Sequence, residues 1–349
     1  MRLSSKCHLV NLSLFFTVFL GVLQAEEIKI YNWEAFLSPT VITQFTKETG
    51  HTVSQTFFDN DHQIGSLFAN GKSKLFDLLM IQSSRSDSFG ARGYLKPIAP
   101  LKLKNLELID SIWLESCGTF SLPYSWGTAG LAYRSSLVDK PIQSWNDFFY
   151  PNDVFKNRII AQTDATTLTE TALIHLRKDP NSENVTELKK AYNVLLDQKP
   201  YILEYKYGIT YANEHKTNSQ MAMTLAFSGD IEEIITKTQQ NDWVYTIPKE
   251  GTMLWVDCLS LPADKEIKQA TIDFLNFINQ PEIAALNSVE AHITTVNKDA
   301  LKHLPRDILD NIELYPTQAI IDISHPYRTL KPASYKIRQK MMNALTLDQ

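Results

Sequence analysis

The sequence predicts an α/β fold in which mainly parallel sheets are flanked by helices, and three observations carry that expectation. Short apolar strand patterns alternate with amphipathic helix patterns between residues 28 and 81. The same alternation returns between residues 159 and 247. The length, 349 residues with 44% hydrophobic content, suffices for one large domain or two lobes of ordinary size. No internal repeat is visible, which excludes solenoids and propellers. With only 12 Gly and 15 Pro and no biased tract, collagen-like and low-complexity classes are excluded as well.

Taken in order, Ile28 and Ile30 alternate with polar neighbours through Tyr31 and Trp33, a strand pattern. A helix follows, with Ser38 as its cap, Pro39 where the first helical N–H has no partner, Val41, Ile42 and Phe45 on one face, and Gly50 as its end. Residues 52–58 read as a strand, 63–70 as a short helix, and 76–81 as an apolar strand buried on both faces. A strand signal at 131–133 leads out of this first unit. The second unit runs strand 159–162, helices 168–176 and 187–196, strand 221–227, helix 231–238 and strand 244–247. A strand returns at 253–261, and Ile267, Ala270, Phe274, Leu275 and Ile278 form a helical stripe ended by Pro281. A polar, helix-rich tail over 307–347 closes the chain.

The first 25 residues read as an export leader: Arg2 and Lys6 precede the apolar run 12–23, and cleavage is expected after Ala25. That run is short for a membrane span and no second one approaches the ~20 residues required, so an exported protein is expected. Cys7 precedes the apolar run and so is not placed to carry a lipid. With 34 basic against 39 acidic residues there is no basic footprint, which argues against nucleic acid as a partner. Two cysteines, Cys117 and Cys258, remain after the leader. Free cysteine is among the most buried residue types, so two separate thiols are expected, with a single disulfide as the alternative.

Catalytic and metal motifs are missing. Gly71-Lys72-Ser73 lacks the first glycine of a phosphate loop, since Ser66 stands there, and its strand lies on the wrong side. It reads as a surface turn. Asp59-Asn60-Asp61 opens like a calcium loop without the later glycine and glutamate, and the eight histidines show no metal spacing. No cofactor is expected and no reaction is indicated.

Aromatic rings do lie beside carboxylates at predicted strand ends. Trp33 and Glu34 end the first strand, Trp255 and Asp257 are two apart on one strand and so share a face, and Asp164 follows strand 159–162. A ring face attracts a cation and a carboxylate neutralises it, so together they replace the water an ammonium loses in a closed cleft. The bland alternative is that both tryptophans are core or edge aromatics and the acids are solvated.

Several stretches then resemble the periplasmic spermidine/putrescine-binding proteins of polyamine ABC transporters over essentially the whole mature chain. They are YNWEAFLSP (31–39), QFTKETG (44–50), FDLL (76–79), LPYSWGTAGLAY (122–133), SWNDF (144–148), PKEGTMLWVDCLSLP (248–262), FLNFINQP (274–281) and ELYP (313–316). The resemblance implies a two-lobed type II periplasmic-binding-protein fold, each lobe a mainly parallel sheet flanked by helices, with hinge crossovers. Residues 26–131 and 256–301 would form one lobe, and 132–255 and 302–349 the other. Ligand would be trapped between them as they close.

Carried over residue by residue, the resemblance implies that Trp33, Asp164, Trp255 and Asp257 hold the ligand, with Asp257 the main amine anchor. Elsewhere the sequence departs from the family. Its acid position after the first tryptophan holds Ala35, with Glu34 one place early, and the following aromatic is Phe36, without a hydroxyl. Gln82 and Ser84 stand where Ser and Tyr are expected, Thr167 replaces a second acid, Phe227 a tryptophan and Ile293 a tyrosine, and the C-terminal glutamine falls near Tyr327. Loss of two acids should weaken or shift recognition of a trication. The expected function is a periplasmic solute-binding subunit of an ABC importer that delivers a polyamine to an inner-membrane permease, acting as a monomer. The alternatives are the same fold with another organic cation or amino-acid-like solute, and a sensor or adhesion protein without transport.

Overall fold

The computed structural model describes residues 25–34, 36–58 and 62–347. The expected leader therefore lies outside the described residues except for Ala25, as do Ala35 and the Asp59-Asn60-Asp61 turn. The first unit comprises β1 (Glu27–Asn32), α1 (Pro39–Thr49), β2 (Thr52–Phe57), α2 (His62–Ala69), β3 (Leu78–Gln82), α3 (Ser83–Ala91) and α4 (Ser111–Cys117). Next come β4 (Ser121–Arg134), α5 (Trp145–Phe149), β5 (Ile159–Ala161), α6 (Ala165–His175), α7 (Val185–Gln198), β6 (Ile202–Tyr205), α8 (Gly208–Glu214), β7 (Met223–Phe227), α9 (Asp230–Thr238) and β8 (Trp243–Thr246). The chain ends with β9 (Met253–Ser260), α10 (Gln269–Ile278), α11 (Pro281–Ala291), α12 (Arg306–Leu309), α13 (Gln318–Asp322), β10 (His325–Pro326) and α14 (Pro332–Thr346).

Local chemistry starts and stops these elements as the sequence indicates. Ser38 accepts from the Thr40 and Val41 N–H groups at 3.0 and 3.3 Å, and Gly50 ends α1 in the left-handed region at φ 78° with its N–H on the Thr46 carbonyl. A serine cap of this kind contributes about 1 kcal/mol. Pro281 does more than end α10. It occupies the first turn of a second helix, α11, where its missing N–H costs nothing.

The strands follow the order β2-β1-β3-β9-β4-β7-β5-β6, with β10 beside β9 and β8 beside β4. The sheet is mixed, where the sequence predicts mainly parallel strands. Parallel pairs β1–β2, β1–β3, β5–β6 and β5–β7 build the two α/β units, but β4 and β9 run antiparallel to each other and to β3 and β7. The short strand expected at 131–133 is the far end of β4, fourteen residues long. Its first part, 121–128, pairs with β9 and its last part, 129–134, with β7 and β8. Pro123 conceals this strand, because proline weakens any strand assignment and the register shifts between Pro123 and Ser125.

Buried apolar side chains fall into two large clusters with a boundary on β4 and β9. One draws on residues 28–126 and 254–296, the other on 129–225, Met253 and 327–345. Cys117 and Cys258 are joined as a disulfide with Cα atoms 6.1 Å apart, which corrects the expectation of two separate thiols. Both are fully buried, and the packing of α4 on β9 brings together residues 141 apart, a convergence no local sequence pattern reveals.

Candidate functional site

The crossing strands place four of the predicted residues, Gln82, Asp257, Trp255 and Phe227, along one face. Opposed residues in antiparallel strands present side chains to the same face. Gln82 on β3 is opposite Asp257 on β9, and Asp257 is in turn opposite Ser125 on β4, so three polar side chains lie abreast. Two residues along, Trp255 is opposite Gly127, and two further along β4 Ala129 is opposite Phe227 at the end of β7. Strand alternation thus puts Gln82, Ser125, Asp257, Trp255 and Phe227 on one face that runs from the first cluster to the second.

Gly127 is required there. A Cβ on it would lie 2.2 Å from Trp255 Cζ2 and 2.2 Å from Ser228 Oγ, so the indole packs directly on glycine backbone. The Trp255 Nε1 is buried and finds no hydrogen-bond acceptor among the described residues. Such a donor is costly to leave unmade, and a ligand or a water molecule beside the indole can use it. Asp257 is 6% exposed and Ser125 fully buried, with Ser125 Oγ 3.5 Å from Thr294 Oγ1. The adjacent Ile293 is buried, and its carbonyl accepts from Ser288 Oγ.

The loop after β1 carries the first aromatic. Trp33 is half-buried, its ring 4.2 Å from Phe58 and 6.4 Å from Phe36 between centroids. Phe36 is half-buried too, and its carbonyl accepts from the Tyr124 hydroxyl at 2.5 Å. Glu34 sits in the intervening turn and is exposed.

From the second cluster comes Asp164, exposed at the start of α6, where its Oδ1 caps the helix by accepting from the Thr167 N–H at 2.7 Å. Thr167 is buried and hydrogen-bonds Tyr327 Oη at 2.8 Å, while the Tyr327 N–H donates to the Leu254 carbonyl of β9 at 3.1 Å. The other acid of α6, Glu170, is committed elsewhere: it lies 3.6 Å from Arg338, both fully buried. Burial pushes its carboxyl well up and Arg338 pulls it back. Beyond the end of β3, Ser84 Oγ donates to Gln82 Oε1 at 3.1 Å, and its carbonyl accepts from Thr329 Oγ1 of the C-terminal segment at 2.5 Å.

Two acids beside Phe227 escape the sequence reading. Asp230 accepts from the Phe227 N–H at 2.7 Å and the Tyr207 hydroxyl at 2.6 Å, and burial pushes its carboxyl up to about 7 against those two hydrogen bonds. Glu313, in the segment that returns from α12, accepts from the Gly229 N–H at 2.8 Å and is likewise pushed to about 7 by burial. Among the described residues neither carboxylate has a Lys, Arg or His partner. The Gly229-Asp230 step directly after an apolar strand was a usable signal, because a glycine followed by an acid suits a helix start.

A separate cavity of about 240 Å³ is lined by Asp179, Asn181, His325, Pro326 and Arg328, none of them a predicted ligand residue. Among the described residues there is no cluster of three metal-ligating side chains and no helix long and apolar enough to cross a membrane. The arrangement offers ring faces and carboxylates around a crossover, which is chemistry for holding an organic cation.

Known proteins share this architecture. A norspermidine sensor of Vibrio cholerae is 28% identical over 327 residues, spanning 92% of this chain and 89% of its own. The putrescine-binding periplasmic protein of Escherichia coli is 27% identical over 94% of this chain and 93% of its own. Among solved structures, the spermidine/putrescine ABC transporter substrate-binding protein of Streptococcus pneumoniae superposes with a TM-score of 0.82 at 23% identity, covering 93% of this chain and 99% of that one. That likeness establishes the two-lobed α/β fold. The profile of the bacterial extracellular solute-binding proteins matches residues 40–313, and the chain belongs to that family.

Proposed function

We propose that this protein captures a polyamine between its lobes and delivers it to the permease of an ABC importer. The observation that carries this reading is the shared face on β9, where the Trp255 indole packs on Gly127 beside the buried Asp257 carboxylate. On this reading residues 26–131 and 256–301 form one lobe and 132–255 and 302–349 the other, a division that the boundary between the two apolar clusters supports over most of the chain, while Tyr315 and Ile321 pack on the first cluster. Asp257 anchors one ammonium, Trp255, Trp33 and Phe227 flank the methylene chain, and Gln82, Ser84 and Thr167 contribute polar edges. Asp164 and Glu34 supply further negative charge, whereas Phe36 and Ile293 contribute apolar contact. The names of the two curated relatives, both polyamine proteins, support the ligand class.

The protein acts in the periplasm after loss of its leader near Ala25, as a monomer, and performs no reaction. Calorimetry with putrescine, cadaverine, spermidine, spermine and norspermidine tests the proposal. At least one should bind with a dissociation constant below about 1 mM, roughly 4 kcal/mol. Absence of binding by all five would remove the polyamine assignment. The norspermidine sensor among the relatives also favours a second reading, in which the loaded protein signals to a membrane receptor. Uptake of labelled ligand by cells with and without the gene separates the two, since only the transport role requires uptake to fall.

A further inference from the structure

Strand β4 carries one residue too many opposite β9. Pro123 is opposite Cys258 and Ser125 opposite Asp257, so two steps along β4 answer one step along β9, and Tyr124 is the extra residue of a β-bulge. A bulged residue leaves the regular alternation of its strand, and its side chain can be aimed where the ladder would not send it. The Tyr124 hydroxyl donates to the Phe36 carbonyl at 2.5 Å and accepts from Asn287 Nδ2 of α11 at 2.9 Å. Asn287 Nδ2 also lies 3.4 Å from the Phe36 carbonyl, and Asn287 Oδ1 accepts from the Ser38 N–H at 2.9 Å. Asn287 and Ser38 are both buried, so little water competes for these bonds. The chain is thus held from two distant elements, β4 and α11, at the point where it passes from the loop after β1 into α1.

We propose that Tyr124, with Asn287 behind it, is a positioning residue for ligand binding: it fixes the backbone at Phe36 and so places the Phe36 ring, and the Trp33 ring near it, against the ligand. This role rests on the polyamine reading given above, in which both rings touch the ligand. Their centroids are 6.4 Å apart, and Trp33 is braced in turn by Phe58 at 4.2 Å. Ser125, the residue after the bulge, stands opposite Asp257. One irregularity in β4 therefore sets the pairing of the anchor carboxylate and also holds the loop that bears the first aromatic rings. Rings fixed before the ligand arrives lose less freedom on binding, so more of their contact shows as affinity. The Tyr124 hydroxyl itself is committed to Phe36 and Asn287, so its effect on the ligand passes through Phe36.

Hydrogen exchange of the ligand-free full chain and a double-mutant cycle in calorimetry test this together. Tyr124→Phe removes only the hydroxyl. In that variant protection over residues 36–42 should fall about threefold or more, while β3 (78–82) and β9 (253–260) keep theirs. Affinity for the polyamine that binds the wild type best should fall about fivefold or more. In a Phe36→Ala background the same change should alter affinity by less than about twofold, because the ring through which Tyr124 acts is gone. If Tyr124→Phe does not fold, Asn287→Ala is measured in its place with the same expectations. Unchanged protection of residues 36–42, a loss spread equally over β3 and β9, unchanged affinity, or a loss of affinity that persists undiminished without the Phe36 ring overturns the proposal. If the wild type binds none of the five amines, the polyamine assignment falls, and the exchange measurement still decides whether Tyr124 holds this loop.

Discussion

Asp257 is a carboxylate on an interior strand, and at 6% exposure little water screens what it interacts with. Asp257→Asn keeps the side-chain shape and removes the charge. It should weaken binding of whichever polyamine binds best by about 2–5 kcal/mol, roughly 30- to 4,000-fold, in calorimetry, with unchanged circular dichroism. Gly127→Ala tests the same face from beneath. Its new methyl would collide with Trp255 and Ser228, so the indole must move. A loss of affinity of about tenfold or more is expected, with a lowered melting temperature, because overpacking typically costs about 1–3 kcal/mol. The residues around Asp257 differ in how far the sequence shows them. Trp255 and Asp257 stand two apart on an apolar strand, and that spacing alone places them on one face. Asp230 and Glu313 lie far apart in sequence, and only tertiary packing brings a carboxylate of the tail onto the start of α9.

Among the elements, those with local signals are legible. Ser38, Pro39 and Gly50 bound α1 because capping and left-handed closure are properties of single residues. Strand β4 is not legible, since its proline and two glycines disguise fourteen residues that are stabilised by pairing with β9, β7 and β8 rather than by propensity. The same long-range pairing makes the sheet mixed, and α4 meets β9 for reasons that lie in packing. The Cys117–Cys258 bond closes a loop of 141 residues between those two elements. Cross-linking so much chain restricts the unfolded ensemble, and typical disulfides contribute about 2–4 kcal/mol. Urea unfolding of Cys117→Ala/Cys258→Ala should therefore show a lower midpoint than the oxidised wild type by a stability difference of that order. Equal midpoints would mean that the bond is absent or that its constraint is offset by strain in the folded protein.

Over the whole molecule, pH acts through groups of opposite sign. Glu290, Asp242, Glu183 and Glu187 are held below their usual range by hydrogen bonds and neighbouring charges, so any stability they give is present above about pH 4 and lost as pH falls further. His175 and His325 are lowered by burial, so their contribution is lost as pH falls below about 6.5. Asp230 and Glu313 act in the other direction. Their folded values of about 7 exceed the unfolded ones, so the folded chain holds protons that the unfolded chain has already released between about pH 4 and 7. Unfolding free energy therefore loses up to about 1.4 kcal/mol per pH unit for each proton as pH rises through that window, and is level above it. Because the histidines offset part of this slope, the test compares variants. Asp230→Asn retains an oxygen acceptor and cannot ionise, so its melting temperature relative to the wild type should rise between pH 5.5 and pH 8, continuing a rise that starts near pH 4, below which the comparison registers only the altered hydrogen bonds. A difference that stays constant across that range would show that Asp230 titrates as an ordinary carboxylate, and the burial that shifts it would have no energetic consequence.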